Sequence, residues 1–257
     1  MMDIYREIAK AIAEGESVAL ATVVLATAGS PRKEGTKMLV RKDGSTMGTV
    51  GGGGVEAQVC QEALEVIEEG KPRLLHFGLA GEEGEQRGMI CGGRMDVFIE
   101  PIVAQPTLHL FGAGHISLAV AEIGKLLGFR VVVMDQDPAS ADPERFPEAD
   151  MILVEQWEQL LPKLKIDDSS YLVILTGNHV TDQIVLEWAL GTEARYIGMV
   201  GSKSKREAIF SNLLAKGIAE GSLDKVRSPI GLEIYAETPE EIAVSILAQI
   251  VKIRRAS

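Results

Sequence analysis

The segment Thr107–Asp135, TLHLFGAGHISLAVAEIGKLLGFRVVVMD, decides the fold of this chain. It predicts an apolar strand over Leu108–Phe111, a turn containing Gly112 and Gly114, and a helix with apolar residues on one face. A second apolar strand follows and ends at Asp135, 23 residues after Gly112. This order is typical of a dinucleotide-binding βαβ unit, in which glycines bring the backbone close to a phosphate at a helix N-terminus.

The glycine fingerprint of this unit is incomplete, because Ser117 stands where a third glycine is expected. His115, at the predicted helix start, either donates to a phosphate or caps the turn. Asp135 is the expected acceptor for a ribose 2′-hydroxyl, and Asp137 is close enough in sequence to substitute for it. We therefore expect a cofactor to contact Gly112, Gly114, His115 and Asp135.

The rest of the chain predicts two domains of different architecture. After the βαβ unit, strand and helix patterns continue to alternate, which predicts a doubly wound parallel sheet. Before it lie a helix pattern over Asp3–Glu14 and several strand patterns without regular alternation, which predict an α+β domain. The pattern changes between Pro101 and Pro106. The predicted fold class is α/β, with an N-terminal α+β domain over residues 1–103 and a Rossmann-like domain over residues 104–257.

Composition narrows the possible function classes. A net charge of −11 and a sequence pI near 5.0 argue against non-specific nucleic-acid binding, which needs a basic face. No apolar run approaches the ~18 residues that a membrane span needs. The N-terminus has the pattern of an amphipathic helix rather than a signal peptide. Cys60 and Cys91 form no CxxC pair, so we expect no disulfide framework, no zinc site and a cytoplasmic location.

Two N-terminal loops carry residue types that hold anions. Residues 28–37, AGSPRKEGTK, combine the hydroxyl of Ser30 with the cations of Arg32 and Lys37, and an arginine fork suits a phosphate. The alternative is a solvated connection between strands. Gly51, Gly52, Gly53 and Gly54 lead into a predicted helix and offer backbone N–H groups to an anion. The alternative there is a flexible connector.

A third N-terminal loop contains Cys91 followed by Gly92 and Gly93. A thiol flanked by glycines is accessible to reagents and to sulfur chemistry, so Cys91 is a candidate functional thiol. The alternative is a structural cysteine, which is how we interpret Cys60 on its helix face.

Two further turns follow strands of the predicted parallel sheet, where ligands of doubly wound folds bind. His179 and Asp182, three residues apart at a predicted helix start, suit proton transfer or a metal. Alternatively, Asp182 only stabilises the first turn of that helix. The next turn opens a basic helix, and lysines there oppose the helix dipole unless an anion lies nearby. We therefore predict another phosphate site at Gly201, Ser202 and Lys203.

Together these motifs resemble the XdhC/CoxI family. The match follows the family's motif order from about Val18 to Val251 through the Gly-Ser-Pro-Arg loop, GTVGGGGVE, MICGG, GAGH, the His-x-x-Asp pair, IGMVGSKSKR and SPIGLEIYAETPEEIAVSILAQIV. The last of these is the most specific. On this resemblance, the family motifs fall on Pro31-Arg32, Gly51–Gly54, Cys91-Gly92-Gly93 and Gly112, Gly114 and His115.

The resemblance implies a dimeric, cytoplasmic accessory factor of xanthine dehydrogenase and related molybdenum hydroxylases. Such a factor binds the molybdenum cofactor (molybdopterin), assists its protection or sulfuration with a cysteine desulfurase, and delivers it to the apo-subunit of the hydroxylase. We place Cys91 at the metal end of the cofactor. Whether the C-terminal domain binds NAD(P), another nucleotide or nothing stays open.

Two other functions compete with this one. The first is an NAD(P)-dependent oxidoreductase acting on a small molecule, although the chain has no Tyr-x-x-x-Lys pair. The second is a structural adaptor whose Rossmann-like domain docks a partner. The sequence therefore leaves open whether the chain is an enzyme.

Overall fold

The computed structural model describes residues 2–27, 30–78 and 93–256. The chain divides into two compact units, Met1–Ala104 and Gln105–Ser257. Within the described residues, no helix combines the length and the apolar character needed to cross a bilayer.

The first unit is a five-stranded antiparallel sheet with a helix on each face. The strand order is β3-β2-β1-β5-β4. Alternate residues of β1 point to opposite faces, so Ala19 and Ala21 pack in the cluster with α2, whereas Val18 and Leu20 pack in the cluster with α1. The elements are α1 Met2–Glu14, β1 Val18–Ala26, β2 Lys37–Arg41, β3 Thr46–Gly48, α2 Gly53–Glu69, β4 Arg73–Gly78 and β5 Arg94–Ile102.

The second unit is a six-stranded, all-parallel sheet with the order β11-β10-β9-β6-β7-β8, which confirms the predicted Rossmann-like fold. The sequence pattern missed β11, because two residues are too few to display a period. The elements are β6 Thr107–Phe111, α3 His115–Leu126, β7 Arg130–Asp135, β8 Met151–Val154, α4 Trp157–Leu160, a 3₁₀ turn Leu161–Lys163, β9 Ser170–Ile174, α5 His179–Ala189, β10 Tyr196–Met199, α6 Lys203–Ala215, α7 Glu220–Leu223, β11 Val226–Arg227 and α8 Pro239–Arg255.

The helices of this unit cover both faces of the sheet. Residues of α3 and α8 pack in one apolar cluster, and residues of α5 and α6 pack in the other. The neighbouring strands β6 and β9 therefore continue into helices on opposite faces. In open α/β sheets this reversal leaves a crevice at the carboxyl ends of the two strands, and ligands bind there.

The most specific sequence block of the chain, residues 228–251, has a visible structural role. Thr238 and Glu241 form a capping box at the start of α8. The Gln249 side chain of α8 donates to the Gly231 carbonyl (2.9 Å) and accepts from the Gly231 N–H (3.2 Å), which fixes the preceding loop on the helix. Gly198 of β10 has no room for a side chain, because a Cβ there would lie 2.5 Å from Ile230 Cδ1.

Candidate functional site

Two of the N-terminal motifs predicted from sequence come into direct contact. Gly51 has a φ of 153°, and a Cβ on it would lie 2.9 Å from Pro31 Cγ. Only a glycine therefore allows the loop around Pro31 to pack against the glycine loop. The next nearest side chain at this position is Met95 of β5, at 3.9 Å.

The third N-terminal motif is followed in the chain by Arg94, which contacts the loop around Pro31. Ser30 Oγ donates to the Arg94 carbonyl (3.0 Å), and the Arg94 N–H donates to Thr27 Oγ1 (2.7 Å). Arg94 directly follows Gly93 in the chain. We call Ser30, Pro31, Arg32, Gly51 and Gly93–Arg94 the N-terminal cluster.

The glycine loop already binds a carboxylate of the chain itself. Glu56 Oε2 accepts from the Gly52 N–H (2.9 Å) and from Thr49 Oγ1 (2.6 Å). Gly52 is the N-cap of α2 and Gly53 and Gly54 open the helix, so their N–H groups have no acceptor within it. The glycine loop therefore binds one carboxylate of the chain, and binding of an external anion there stays a prediction.

The cations of the first loop are placed differently. Arg32 is exposed, and among residues 2–27, 30–78 and 93–256 no acidic side chain pairs with it. Lys37 begins β2, and its ammonium donates to Thr22 Oγ1 at 2.8 Å. Within the part of the chain that the structure describes, Arg32 is therefore available to an anion, while Lys37 is engaged on the neighbouring strand.

Next to the N-terminal cluster, the structure shows a set of interacting polar side chains that the sequence did not predict. His76 of β4 and Asp96 of β5 face each other in register, and His76 Nδ1 lies 3.0 Å from Asp96 Oδ1. The Arg94 guanidinium contacts both Asp96 oxygens at 3.1 Å. The His76 imidazole, followed by Arg94, keeps the pKa of the Asp96 carboxyl below its usual value. An antiparallel pairing between two distant strands gives no local sequence signal, which is why this group was not predicted.

In the second unit, the predicted glycine turn forms one side of the crevice at the reversal of strand order. A Cβ on Gly112, which has a φ of 109°, would lie 2.5 Å from the Leu175 carbonyl oxygen that follows β9. Gly114 has no heavy atom within 4 Å of its Cβ position, so its surroundings are open. Because Gly112 has no side chain, the end of β6 can approach the end of β9 closely. The surroundings of Gly114 are open.

The residues around this turn bond to one another. Asp135 Oδ2 accepts from the Ala113 N–H (2.7 Å), and its Oδ1 accepts from the Asp137 N–H (3.0 Å). Ser117, in place of the third glycine, is fully buried and donates its hydroxyl to the Gly112 carbonyl. His115 is exposed at the first position of α3, after the N-cap residue Gly114.

Lys205 connects the last two predicted motifs. Its ammonium donates to Asp182 Oδ2 and to the Val200 carbonyl, and its N–H donates to Ser202 Oγ (3.2 Å). Asp182 is completely buried, and its other oxygen accepts from the hydroxyl of Thr176 at 2.6 Å. Both carboxylate oxygens of Asp182 therefore bond to Lys205 and Thr176 rather than to His179.

The other members of these two motifs are accessible. His179 is exposed and lines a cavity between α5 and α6, and Ser202 and Lys203 are exposed at the start of α6. Gly201 lies against the Lys205 side chain, since a Cβ there would be 2.7 Å from Lys205 Cδ.

Two predicted site residues, Cys91 and Gly92, lie outside the described residues. Cys60 is half-buried against the core of the first unit, as predicted, and its thiol lies 3.7 Å from the Gly44 carbonyl oxygen. Among the described residues, no group of three or more His, Cys, Asp or Glu side chains is placed to hold a metal ion.

Comparison with known families gives two matches. The model described as the XdhC Rossmann domain matches residues 108–250, and the model described as the XdhC and CoxI family matches residues 11–78. A crystal structure of a xanthine dehydrogenase from Bacillus halodurans has the same fold, with a TM-score of 0.55 at 24% identity over 98% of this chain and 95% of that chain.

Three curated relatives are similar in sequence. The protein is 37% identical to the uncharacterized protein YqeB of Escherichia coli K12, over 98% of this chain and 46% of that protein. It is 32% identical to a probable xanthine dehydrogenase subunit of Bacillus subtilis, over 62% of this chain and 46% of that protein. It is 23% identical to the molybdenum cofactor insertion chaperone PaoD of Escherichia coli K12, over 98% of this chain and 88% of that protein. The chain thus spans about half the length of the first two relatives.

Proposed function

The chain belongs to the XdhC and CoxI family, and on that premise we propose that it is a maturation factor for a molybdenum hydroxylase. In this role it binds the molybdenum cofactor as cargo and passes it to the apo-subunit of the hydroxylase. The observation that supports the proposal is the contact of two glycine-containing motifs in the N-terminal cluster, where Pro31 packs on Gly51, together with the bond of Ser30 to Arg94, which directly follows Gly93.

The donors of the N-terminal cluster fit this cargo. Molybdopterin carries a phosphate, and the cluster offers an exposed guanidinium on Arg32 and the N–H groups that open α2. The Ser30 hydroxyl would donate to the phosphate only by giving up its bond to the Arg94 carbonyl. The close contact at Gly51 brings Pro31, the neighbour of Ser30 and Arg32 in the chain, against the glycine loop. Arg32 would hold the phosphate, with Gly51–Gly54 and Gly93 providing backbone groups and Lys37 adding positive charge. Ser30 would join them by exchanging the Arg94 carbonyl for the phosphate.

Glu56 gives this phosphate site a specific property. Its carboxylate already occupies the Gly52 N–H, so a bound phosphate would replace Glu56 there or use the N–H groups of Gly53 and Gly54. Because two anions at one helix start repel each other, displacement of Glu56 and binding of cargo would be coupled. Such coupling suits a protein that must release what it carries.

The finer parts of the proposal concern sulfur, assembly and the second unit. We place the Cys91 thiol at the metal end of the cargo, where a cysteine desulfurase would supply sulfur, and we place the protein in the cytoplasm as a homodimer. In the second unit, Gly112, Gly114, His115 and Asp135 would hold a nucleotide, with Gly201, Ser202 and Lys203 as a further phosphate contact.

Co-purification from a host that makes the cofactor tests the proposal. Molybdenum per chain is measured by metal analysis, and pterin per chain by the fluorescence of its oxidised form. We expect both in the wild-type protein and a loss of at least about tenfold in Arg32→Ala, because a charge-assisted bidentate contact is removed. Arg6→Ala, a change at a 75% exposed side chain of α1, is the matched control and should retain the cargo. Absence of pterin from the wild type would contradict the proposal.

Cys91→Ser separates binding from sulfur chemistry. If the thiol serves sulfuration, this variant should retain pterin but fail to activate an apo-hydroxylase. Full activation by Cys91→Ser would remove Cys91 from the proposed function.

The crevice at the β6–β9 boundary supports one alternative, an NAD(P)-dependent oxidoreductase acting on a small molecule. Asp135 at the end of β7 is in the position that favours a free ribose 2′-hydroxyl, and therefore NAD over NADP. Fluorescence titration with NADH and NADPH, combined with a turnover screen, tests it. Saturable binding with turnover would favour the enzyme over the maturation factor.

A further inference from the structure

A cavity of about 360 Å³ lies in the second unit, between α5 and α6. Its apolar lining includes Ala208 and Ile209, and its polar lining is formed by His179, Gln183, Lys205 and Asn212. Its volume is at the small end of the range for small-molecule sites, roughly 300–1,000 Å³. We call it the α5–α6 pocket. It belongs to neither the N-terminal cluster nor the glycine turn at Gly112.

The charge of the pocket favours an uncharged ligand. The only lysine or arginine among its described lining residues, Lys205, is already paired with Asp182, which is completely buried. A second ion pair, Lys216 with Glu187 at 2.5 Å, also joins the two helices and is balanced. A phosphate or carboxylate would have to compete with a buried carboxylate for Lys205, which disfavours anions here.

An amide pair gives the pocket its hydrogen-bonding pattern. Asn212 Nδ2 donates to Gln183 Oε1 at 3.0 Å. Among the described residues, no group bonds to the remaining amide atoms, Gln183 Nε2 and Asn212 Oδ1. These atoms are one donor and one acceptor on adjacent side chains. A ring that carries a carbonyl next to an N–H presents the complementary pair, an acceptor beside a donor.

We propose that the α5–α6 pocket binds an uncharged, planar heterocycle with such a lactam edge, the class that includes oxopurines and pterins. The amide pair of Gln183 and Asn212 forms hydrogen bonds with the carbonyl and the N–H of the lactam, and the apolar side chain of Ile209 contacts the ring. This goes beyond the proposed function, because it assigns a ligand site to the second unit that does not depend on cargo held by the N-terminal cluster.

Ligand-detected NMR and calorimetry on the full chain test the assignment with hypoxanthine, 1-methylhypoxanthine and pterin as probes. We expect saturable binding of hypoxanthine and at least about tenfold weaker binding of 1-methylhypoxanthine, because the methyl group removes the lactam N–H donor. If pterin competes with hypoxanthine, the pocket binds both ring systems. If pterin does not compete, free oxopurines are the ligands.

Variants locate the binding. Gln183→Met keeps the side-chain length but removes the amide, and it should weaken hypoxanthine at least about tenfold. Ser211→Ala, at an exposed position of α6 outside the pocket, is the matched control and should bind as the wild type does. Absence of saturable binding, equal affinity for the methylated probe, or an unchanged Gln183→Met variant would each overturn the proposal. None of these results bears on cofactor retention by Arg32, so the two proposals can fail separately.

Discussion

At the scale of single residues, the turns that sequence predicts as anion sites contain carboxylates of the protein itself. Glu56 accepts from Gly52, Asp135 accepts from Ala113, and Asp182 accepts from Lys205. Helix N-termini and ammonium groups attract negative charge whether it comes from a ligand or from the chain. Each of these turns therefore bonds a carboxylate of the chain, and binding of an external anion at them stays a prediction.

Asp182 is the most deeply buried of these carboxylates, so its removal has the clearest expected effect. Asp182→Asn leaves the Lys205 ammonium, 22% exposed, without its charged partner. We expect a loss of about 3 kcal/mol in the free energy of unfolding, measured by urea denaturation, since unpairing a buried ion pair is costly. The double variant Asp182→Asn with Lys205→Met restores neutrality and should be less destabilised than the single variant. Equal losses in both would show that the ion pair contributes nothing specific.

His109 predicts a pH dependence. It lies in the centre of β6, and burial lowers its pKa to about 4 from an ordinary value of 6.5, while neighbouring Asp167 opposes this change and Arg130 adds to it. The unfolded chain therefore binds the extra proton between about pH 6.5 and 4, and the folded chain does not. The stability contribution is present above pH 6.5 and is lost as the pH falls towards 4.

Replacement of His109 isolates this contribution. His109→Leu should reduce the loss of unfolding free energy between pH 7 and pH 4 by roughly 3 kcal/mol relative to wild type. Urea denaturation of both proteins across this range measures the difference, and carboxylates common to both cancel. Parallel pH profiles would mean that His109 titrates alike in the folded and unfolded chains.

At the scale of elements, two glycines of one turn make a matched pair. Gly112→Ala places a methyl group 2.5 Å from the Leu175 carbonyl oxygen at a φ of 109°, so we expect it to cost at least about 2 kcal/mol of unfolding free energy. Gly114 has open space around it and a φ of −78°, so Gly114→Ala should cost about 1 kcal/mol or less.

The same pair tests whether the crevice holds a nucleotide. Gly114→Ala should weaken binding of ADP, used as a nucleotide probe, because the added methyl group occupies the space beside the first turn of α3. Calorimetry with the wild type and with Gly114→Ala measures this directly. A wild-type protein that does not bind ADP, or a variant that binds it equally well, would assign the turn a purely structural role.

Most elements were predictable from sequence because their signals are local. The glycine turn before α3, the capping box of Thr238 and Glu241, and the parallel sheet of the second unit all follow from short patterns. The contacts that define the candidate sites are not local. Asp182 and Lys205 are 23 residues apart, and Ser30 bonds to Arg94 across 64 residues. Such pairs depend on strand order and register, which no single segment encodes.

At the scale of the whole molecule, the division into two units follows from where apolar side chains are buried. Two apolar clusters contain only residues of the first unit, and two others contain only residues of the second. The proposed functions divide in the same way: the N-terminal cluster is assigned to cargo, and the crevice and the α5–α6 pocket are assigned to nucleotide or heterocycle ligands. A destabilising substitution in the apolar core of one unit is therefore expected to affect only the ligand binding that is assigned to that unit.

Met38 and Met134 test this separation, since both are completely buried, one in each unit. Met38→Ala and Met134→Ala should each cost roughly 2–5 kcal/mol, because removing a buried methionine loses packing and leaves a cavity. Hydrogen exchange read by mass spectrometry on the full chain locates the effect. We expect faster exchange within residues 2–104 for Met38→Ala and within residues 105–256 for Met134→Ala. Since local opening in one core need not expose the other, acceleration throughout the chain in both variants would show that the two units unfold as one.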